Sequence, residues 1–284
     1  MENEFANSAK LRAEDFLALH QEPGVFVIPN PWDAGSAKIL EIMGFKALAT
    51  TSAGFAYTLG KADGDIAVSR EKTIDNIHDI VQATCIPVSA DLGKGFGDDP
   101  ADCARTIKEA VIWGVSGGSI EDATGNPDDP IYPFGLAVER IKAAVNAKRD
   151  APYPFILTAR AENLIYGRDD LKDTIKRLIA FAEAGADVLF APGLKTLQEI
   201  EMVVKAVAPH PVNVLMGIPG TNFTVKMLEQ LGVKRISVGS SLARAACGAF
   251  SRAAEEILIH GTFSYADEAK PYKELNDLFS CSKG

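Results

Sequence analysis

Eight times along this chain a short apolar run gives way to a longer amphipathic segment, and that alternation restricts the fold more than any single motif. The runs are GVFVIPN, FKALATTSA, IPVSADLG, GGSIEDA, PFILTARA, ADVLFAPG, VNVLMGIPG and KRISVGSS. Between them lie stretches with apolar residues at helical spacing, among them SREKTIDNIHDIVQAT, DPADCARTIKEAVIWG and DDLKDTIKRLIAFAEAG. Several of these end in glycine just before the next run, at Gly44, Gly114, Gly185 and Gly232, the usual place for a residue that closes a helix.

Strands alternating with helices imply a parallel sheet covered on its outer face. Eight such units predict a closed (β/α)8 TIM barrel, and a length of 284 residues suits it, because such barrels run to about 250 residues as one domain. An open doubly wound sheet is the alternative. It calls for a GxGxxG turn after the first strand, where this chain has PNPWDAGSA. The expectation is one domain over residues 1–284, with the barrel core at about 24–261 and one or two helices in 262–284. The early segment SAKLRAEDFLALH reads as a helix closing the barrel bottom.

Composition removes several function classes. The formal net charge is −9 and no Lys/Arg cluster stands out, so nucleic acid is not an expected partner. No apolar run approaches the roughly 18 residues of a membrane span, and MENEFANSAKLRAEDF lacks the pattern of a secretory signal. Cys85, Cys103, Cys247 and Cys281 form no CxxC pair, which disfavours structural zinc and a disulfide framework and fits reduced thiols in a cytoplasmic protein.

In a barrel of this kind the site lies at the carboxyl ends of the strands. The runs end on Asn30, Trp32 and Asp33; Thr50 to Gly54, with Asp63 further on; Asp91 and Lys94; Glu121 and Asp122; Arg160 and Glu162; Pro192; Gly217 to Asn222; and Gly239 to Ser241. None of the four histidines and none of the cysteines falls at a strand end. That disfavours histidine-ligated zinc, Ser-His-Asp chemistry and thiolate catalysis. Carboxylate, arginine, lysine and backbone amide remain, and oxygen ligands suit a hard cation such as Mg²⁺. Asp91, Glu121 and Asp63 are the candidate metal ligands, and Arg160 the candidate partner of a substrate carboxylate.

Plainer readings stand beside these. Asp91 can cap the next helix, and Arg160 can pair internally with Glu162. The loops GIPG and VGSS offer either a phosphate site or tight turns with a helix cap at Ser240 or Ser241. Lys94 is the candidate Schiff-base lysine for a phosphosugar aldolase or isomerase. A non-catalytic barrel that binds an oxo acid is a further alternative.

In order, TTSAGFAYTLGKADG, ADLGKGFGD, GGSIED and LTARAE resemble the isocitrate lyase/phosphoenolpyruvate mutase superfamily, and the similarity runs from NPWDAGSAK to VGSSLARAA. The resemblance implies a (β/α)8 barrel whose eighth helix is exchanged with a partner, in a homodimer or homotetramer. It implies Mg²⁺-dependent making or breaking of a C–C or C–P bond in a small α-oxo acid or 2-hydroxy dicarboxylate through an enolate-like intermediate. Thr51, Ser52 and Ala53 then bind substrate. Asp63, Asp91 and Glu121 hold the metal directly or through water, with Asp63 and Glu121 also catalytic, and Arg160 pairs with a substrate carboxylate.

The chain departs from the superfamily pattern at three places. Gly93 replaces a second acid two residues after Asp91. No KxCGH-like loop supplies the cysteine acid of the isocitrate and methylisocitrate lyases, which argues against those two activities. The lid after Glu121 reads DATGNPDDPIYPFG, with Asn126 but without the mutases' lysine. The sequence therefore sits with a branch that is carboxyvinyl-carboxyphosphonate phosphorylmutase-like, with oxaloacetate decarboxylation a concrete expected case.

Overall fold

Each of the eight apolar runs supplies one strand of a single parallel sheet in the computed structural model, which describes residues 2–64 and 68–280. The strands are β1 (Phe26–Ile28), β2 (Leu48–Ala49), β3 (Val88–Asp91), β4 (Gly117–Glu121), β5 (Ile156–Arg160), β6 (Val188–Phe190), β7 (Val212–Leu215) and β8 (Arg235–Ser237). Their order is β1-β8-β7-β6-β5-β4-β3-β2. The remaining seam, between β1 and β2, carries a backbone bond from Ala49 N to Pro29 O at 3.0 Å. The sheet is thus a nearly closed (β/α)8 TIM barrel, as the alternation predicts.

The helices are α1 (Glu2–Gln21), α2 (Ala34–Ile42), α3 (Ser52–Thr58), α4 (Arg70–Ala83), α5 (Pro100–Ile112), α6 (Phe134–Arg149), α7 (Leu171–Ala184), α8 (Leu197–Val207), α9 (Val225–Gln230), α10 (Ser241–His260) and α11 (Tyr272–Ser280). A 3₁₀ turn at Ser264–Asp267 separates the last two. Their starts follow ordinary capping chemistry: Thr196 and Glu199 form a reciprocal capping box at α8, and Asp99 precedes Pro100 at the first turn of α5. Helix α7 stops at Gly185, whose φ of 104° is comfortable only for glycine. The TTSA segment does not extend β2. It turns at Thr51, whose side chain caps the short helix α3 by accepting from Gly54 N at 3.2 Å.

Period-two alternation sorts the strand side chains into two environments. Outward residues such as Leu48, Val88, Ile120, Leu157, Leu189, Val214 and Ile236 join the main apolar core under the helices. Inward residues Ser89, Asp91, Ser119, Arg160, Asn213, Arg235 and Ser237 line a cavity of about 300 Å³ inside the barrel. A barrel of this class commonly fills its interior with branched apolar side chains. This one carries polar groups there instead.

Helix α1 plugs the bottom, as the sequence predicts. Phe16 is fully buried with Ile28, Ala47, Ile156 and Val188, and its ring lies so close to β4 that a Cβ on Gly117 would meet it at 2.9 Å. At the other end of the chain, α10 packs little: Ala243 is its single buried residue. Residues 281–284, with Cys281, lie outside the described residues; Cys85, Cys103 and Cys247 are free thiols. Among the described residues no helix is long and apolar enough to cross a membrane.

Candidate active site

Asp91, Glu121 and Arg160 are the last residues of three neighbouring strands, β3, β4 and β5. The ladder sets Glu121 directly beside Arg160 and Asp91 beside Ser119, and the long Arg160 side chain joins the three at the mouth. Arg160 Nη1 donates to Asp91 Oδ1 at 2.9 Å, Nη2 lies 3.1 Å from Glu121 Oε2, and Nε donates to Glu162 Oε1 at 2.8 Å. The Phe190 ring lies 5.4 Å from the guanidinium carbon. Arg160 pairs with Glu162, as the plainer reading expects, and it also faces the cavity.

Asp91 is fixed by more than the arginine. Its Oδ2 accepts from Ser52 N at 3.1 Å, its Oδ1 accepts from Gly93 N at 3.3 Å, and its own amide donates to Thr50 Oγ1 at 2.9 Å. Burial works against the charge of this carboxylate, but Arg160 and the amides of Ser52 and Gly93 outweigh it and hold the pKa below its ordinary value. Asp91 does not cap the next helix, since Asp99 occupies that position before α5.

The neighbouring acids behave oppositely. Burial raises Asp63, and the charge of Asp91 adds to the shift. Burial also raises Glu121; Arg160 opposes that shift, and Glu162, Asp91 and Asp63 add to it. Four carboxylates, Asp63, Asp91, Glu121 and Glu162, therefore share the field of one guanidinium. Among the described residues no three His, Cys, Asp or Glu side chains converge closely enough to hold a metal ion directly. Asp63 and Asp91 face the cavity; Glu121 reaches it through Arg160.

Thr51, Ser52 and Ala53 all line the cavity at the start of α3. The Ser52 amide is held by Asp91. The Ala53 amide, second in the helix, has no carbonyl four residues back within the helix to bond.

Several other candidates lie elsewhere. Asp122 is structural: its oxygens accept from Glu162 N at 2.8 Å and from Arg177 Nη1 at 3.1 Å, and burial pushes its pKa up to about 6. Lys94 points off the cavity, with Nζ donating to Asp98 Oδ1 and Thr124 O, each at 2.7 Å, which removes the geometric support for a Schiff base. The phosphate alternative at VGSS has two of its amides engaged internally, because Val238 N and Gly239 N donate to Asn30 Oδ1 at 2.8 and 2.9 Å. Asn126 is at the exposed tip of a small hairpin bridged at Ala123 and Ile131.

Reasoning from strand ends overlooks the residues one layer down: Ser89, Thr158, Asn213, Arg235 and Ser237. Their signal is present in the sequence as polar residues inside apolar strand runs. Tyr166 is also unanticipated; burial pushes its phenol up to about 12, aided by Glu121 and Glu162.

An eight-stranded parallel barrel with an acid–arginine cluster at the carboxyl ends of its strands defines the class of α/β barrels whose site is built on the strand tips. The phosphoenolpyruvate phosphomutase family matches this chain over residues 16–258, and the chain belongs to that family. It is similar to the crystal structure of a proposed lyase/mutase from Burkholderia cenocepacia J2315, with 53% identity, a TM-score of 0.94, and coverage of 97% of this chain and 98% of that one. It is 27% identical to the 2-methylisocitrate lyase of Halalkalibacterium halodurans, over 96% of this chain and 91% of the relative. It is 28% identical to the oxaloacetate decarboxylase of Bradyrhizobium diazoefficiens, over 95% and 90% respectively.

Proposed function

We propose that this protein is a Mg²⁺-dependent lyase or mutase of small α-oxo acids or 2-hydroxy dicarboxylates, and that oxaloacetate decarboxylation is its most direct reaction. The observation that carries the reading is the charge imbalance at the mouth, where four carboxylates meet one guanidinium around a cavity lined by Asp63, Asp91 and Arg160. The donor set is all oxygen. Mg²⁺ keeps several waters and takes one or two carboxylates, so Asp91 suits direct contact, and Asp63 and Glu121 contact through water. Gly93, in place of a second acid, leaves fewer protein ligands and more water around the ion.

When bound, Mg²⁺ supplies a Lewis acid for the oxo oxygen. The chain supplies the rest. Arg160 uses three of its N–H donors on acids and has five, so donors remain for a substrate carboxylate. The Ala53 amide can donate to an oxygen that gains negative charge. In oxaloacetate the C3–C4 bond breaks, CO2 leaves, and the bonding pair becomes that of the pyruvate enolate. Asp63, whose proton is retained to higher pH than usual, returns a proton to C3. No cysteine acid is required, which agrees with its absence from the chain.

The same proposal extends to assembly and place. The apolar side chains exposed along α10, including Phe250 at 75% and Leu258 at 86%, support exchange of this helix between subunits in a homodimer or homotetramer. Free thiols support a cytoplasmic location.

The test is pyruvate release from oxaloacetate, corrected for the metal-catalysed background, with Mg²⁺ and with EDTA. Turnover that requires Mg²⁺ and falls to background in Asp91→Asn supports the reading. Inert oxaloacetate alongside turnover of another C–C or C–P substrate removes the specific reaction.

A further inference from the structure

Arg235 is a buried cation with no anionic partner. It is 5% exposed, it stands on β8 inside the barrel, and no carboxylate pairs with it among the described residues. Nε donates to Asn213 Oδ1 at 2.9 Å, Nη2 donates to Thr158 Oγ1 at 2.8 Å, and Nη1 lies 3.5 Å from His20 Nε2. All three partners are neutral: His20 Nδ1 contacts Phe16 O at 2.7 Å, and burial, with Arg235 adding to it, pushes the imidazole pKa down to about 3. Burial pushes Arg235 itself down to about 9, with no neighbouring charge to offset it.

A buried charge without a counter-ion is strongly disfavoured, and one normally finds it paired. The negative charge of the barrel lies instead at the mouth, one layer up. Thr158 and Arg160 are two residues apart on β5, so Thr158 is roughly 7 Å deeper by strand rise. The cavity connects the two levels, because Arg160, Asn213, Ser237 and Arg235 all line it. Asn213 Nδ2 donates to Ser237 Oγ at 2.9 Å, which orients the amide so that its oxygen holds Arg235. Two of the five arginine donors are left beyond these contacts.

We propose that Arg235 is the floor of a second anion subsite inside the barrel, which takes the distal carboxylate of a short dicarboxylate whose oxo-acid end lies between Arg160 and Asp91. The inference rests on the oxo-acid reading above and narrows it: the substrate is a dicarboxylate, and the carboxylate remote from its oxo group points down the barrel axis rather than out to solvent; in oxaloacetate that is the C4 carboxylate, which Arg235 orients before the C3–C4 bond breaks. Arg235 is a specificity-determining residue that selects against monocarboxylates.

The experiment is calorimetric titration in Mg²⁺ buffer with oxalate, which is confined to the mouth, and with malate, which carries a distal carboxylate. Two variants are compared with the unmodified protein. Arg235→Gln removes the charge. Asn213→Asp is nearly isosteric and gives Arg235 an internal counter-ion, so it keeps the protein folded and its melting temperature at or above that of the parent. Loss of one charge-assisted contact predicts about tenfold or more weaker malate binding in both variants, with oxalate within about twofold. Malate binding unchanged in Asn213→Asp overturns the floor subsite and leaves the oxo-acid reading standing as long as oxalate binds. Failure of the parent protein to bind either acid overturns both.

Discussion

Arg160 holds more of this site together than any other side chain. It contacts Asp91, Glu121 and Glu162 at once, so its removal takes the guanidinium from three acids and, on the proposed function, from the substrate carboxylate. Truncating one partner of a buried ion pair costs about 3–5 kcal/mol. Arg160→Gln is therefore expected to lower stability by roughly 3 kcal/mol in urea titrations and kcat/KM by about 100-fold or more. Arg160→Lys keeps the charge but not the fork, and is expected to recover stability better than activity.

His20 offers an independent check on the barrel bottom. Its folded pKa, about 3, is below its unfolded value near 6.5, so between those limits the unfolded chain binds the extra proton. Stability from this residue is whole above pH 6.5 and is lost as pH falls toward 3, by roughly 3 kcal/mol at pH 4. His20→Asn should flatten that acid limb in pH-dependent unfolding; a limb of unchanged slope removes the assignment. At this scale the sequence displays strand-tip residues best. Asp91, Glu121 and Arg160 end apolar runs, and a strand tip in a parallel barrel has one place to be. Arg235 sits beside Lys234 in KRIS and looks like the basic start of a strand; nothing in those four letters tells inward from outward. Glu162 and Asp122 look alike in sequence, and only packing against Arg160 and Arg177 separates their tasks.

At the scale of elements, the alternation of runs and helices specifies eight strands because each apolar run is bounded by glycine, proline or a capping residue. It does not specify α3. The TTSA letters continue a β-branched run, and the turn at Thr51 depends on the cap to Gly54 and on the Ser52–Asp91 bond, a contact 39 residues distant in the chain. The segment after Glu121 is likewise clearer in the structure: it is a small hairpin, tied to the 94–98 loop where Tyr132 Oη donates to Asp98 and Lys94 Nζ donates to Thr124 O. Helix α10 packs little within its own chain, and the proposal is that a second subunit covers it. Phe250→Asp with Leu258→Asp is expected to shift sedimentation from dimer or tetramer to monomer. A parent protein that already sediments as a monomer contradicts helix exchange.

For the whole molecule, the barrel separates its charges by depth. Acids gather at the mouth around Arg160, an unpaired guanidinium lies beneath, and the apolar plug of α1 seals the end below it. Such a gradient draws an anion inward and a divalent cation to the rim. A cation at that rim is what the proposed chemistry depends on. The most direct measurement is titration of the protein with Mg²⁺ in the presence of oxalate, for the parent chain and for Asp91→Ala. Saturable binding of one ion at millimolar concentrations or below is expected, and its loss in the variant. Absence of bound Mg²⁺ in the parent, or undiminished binding in Asp91→Ala, would contradict it.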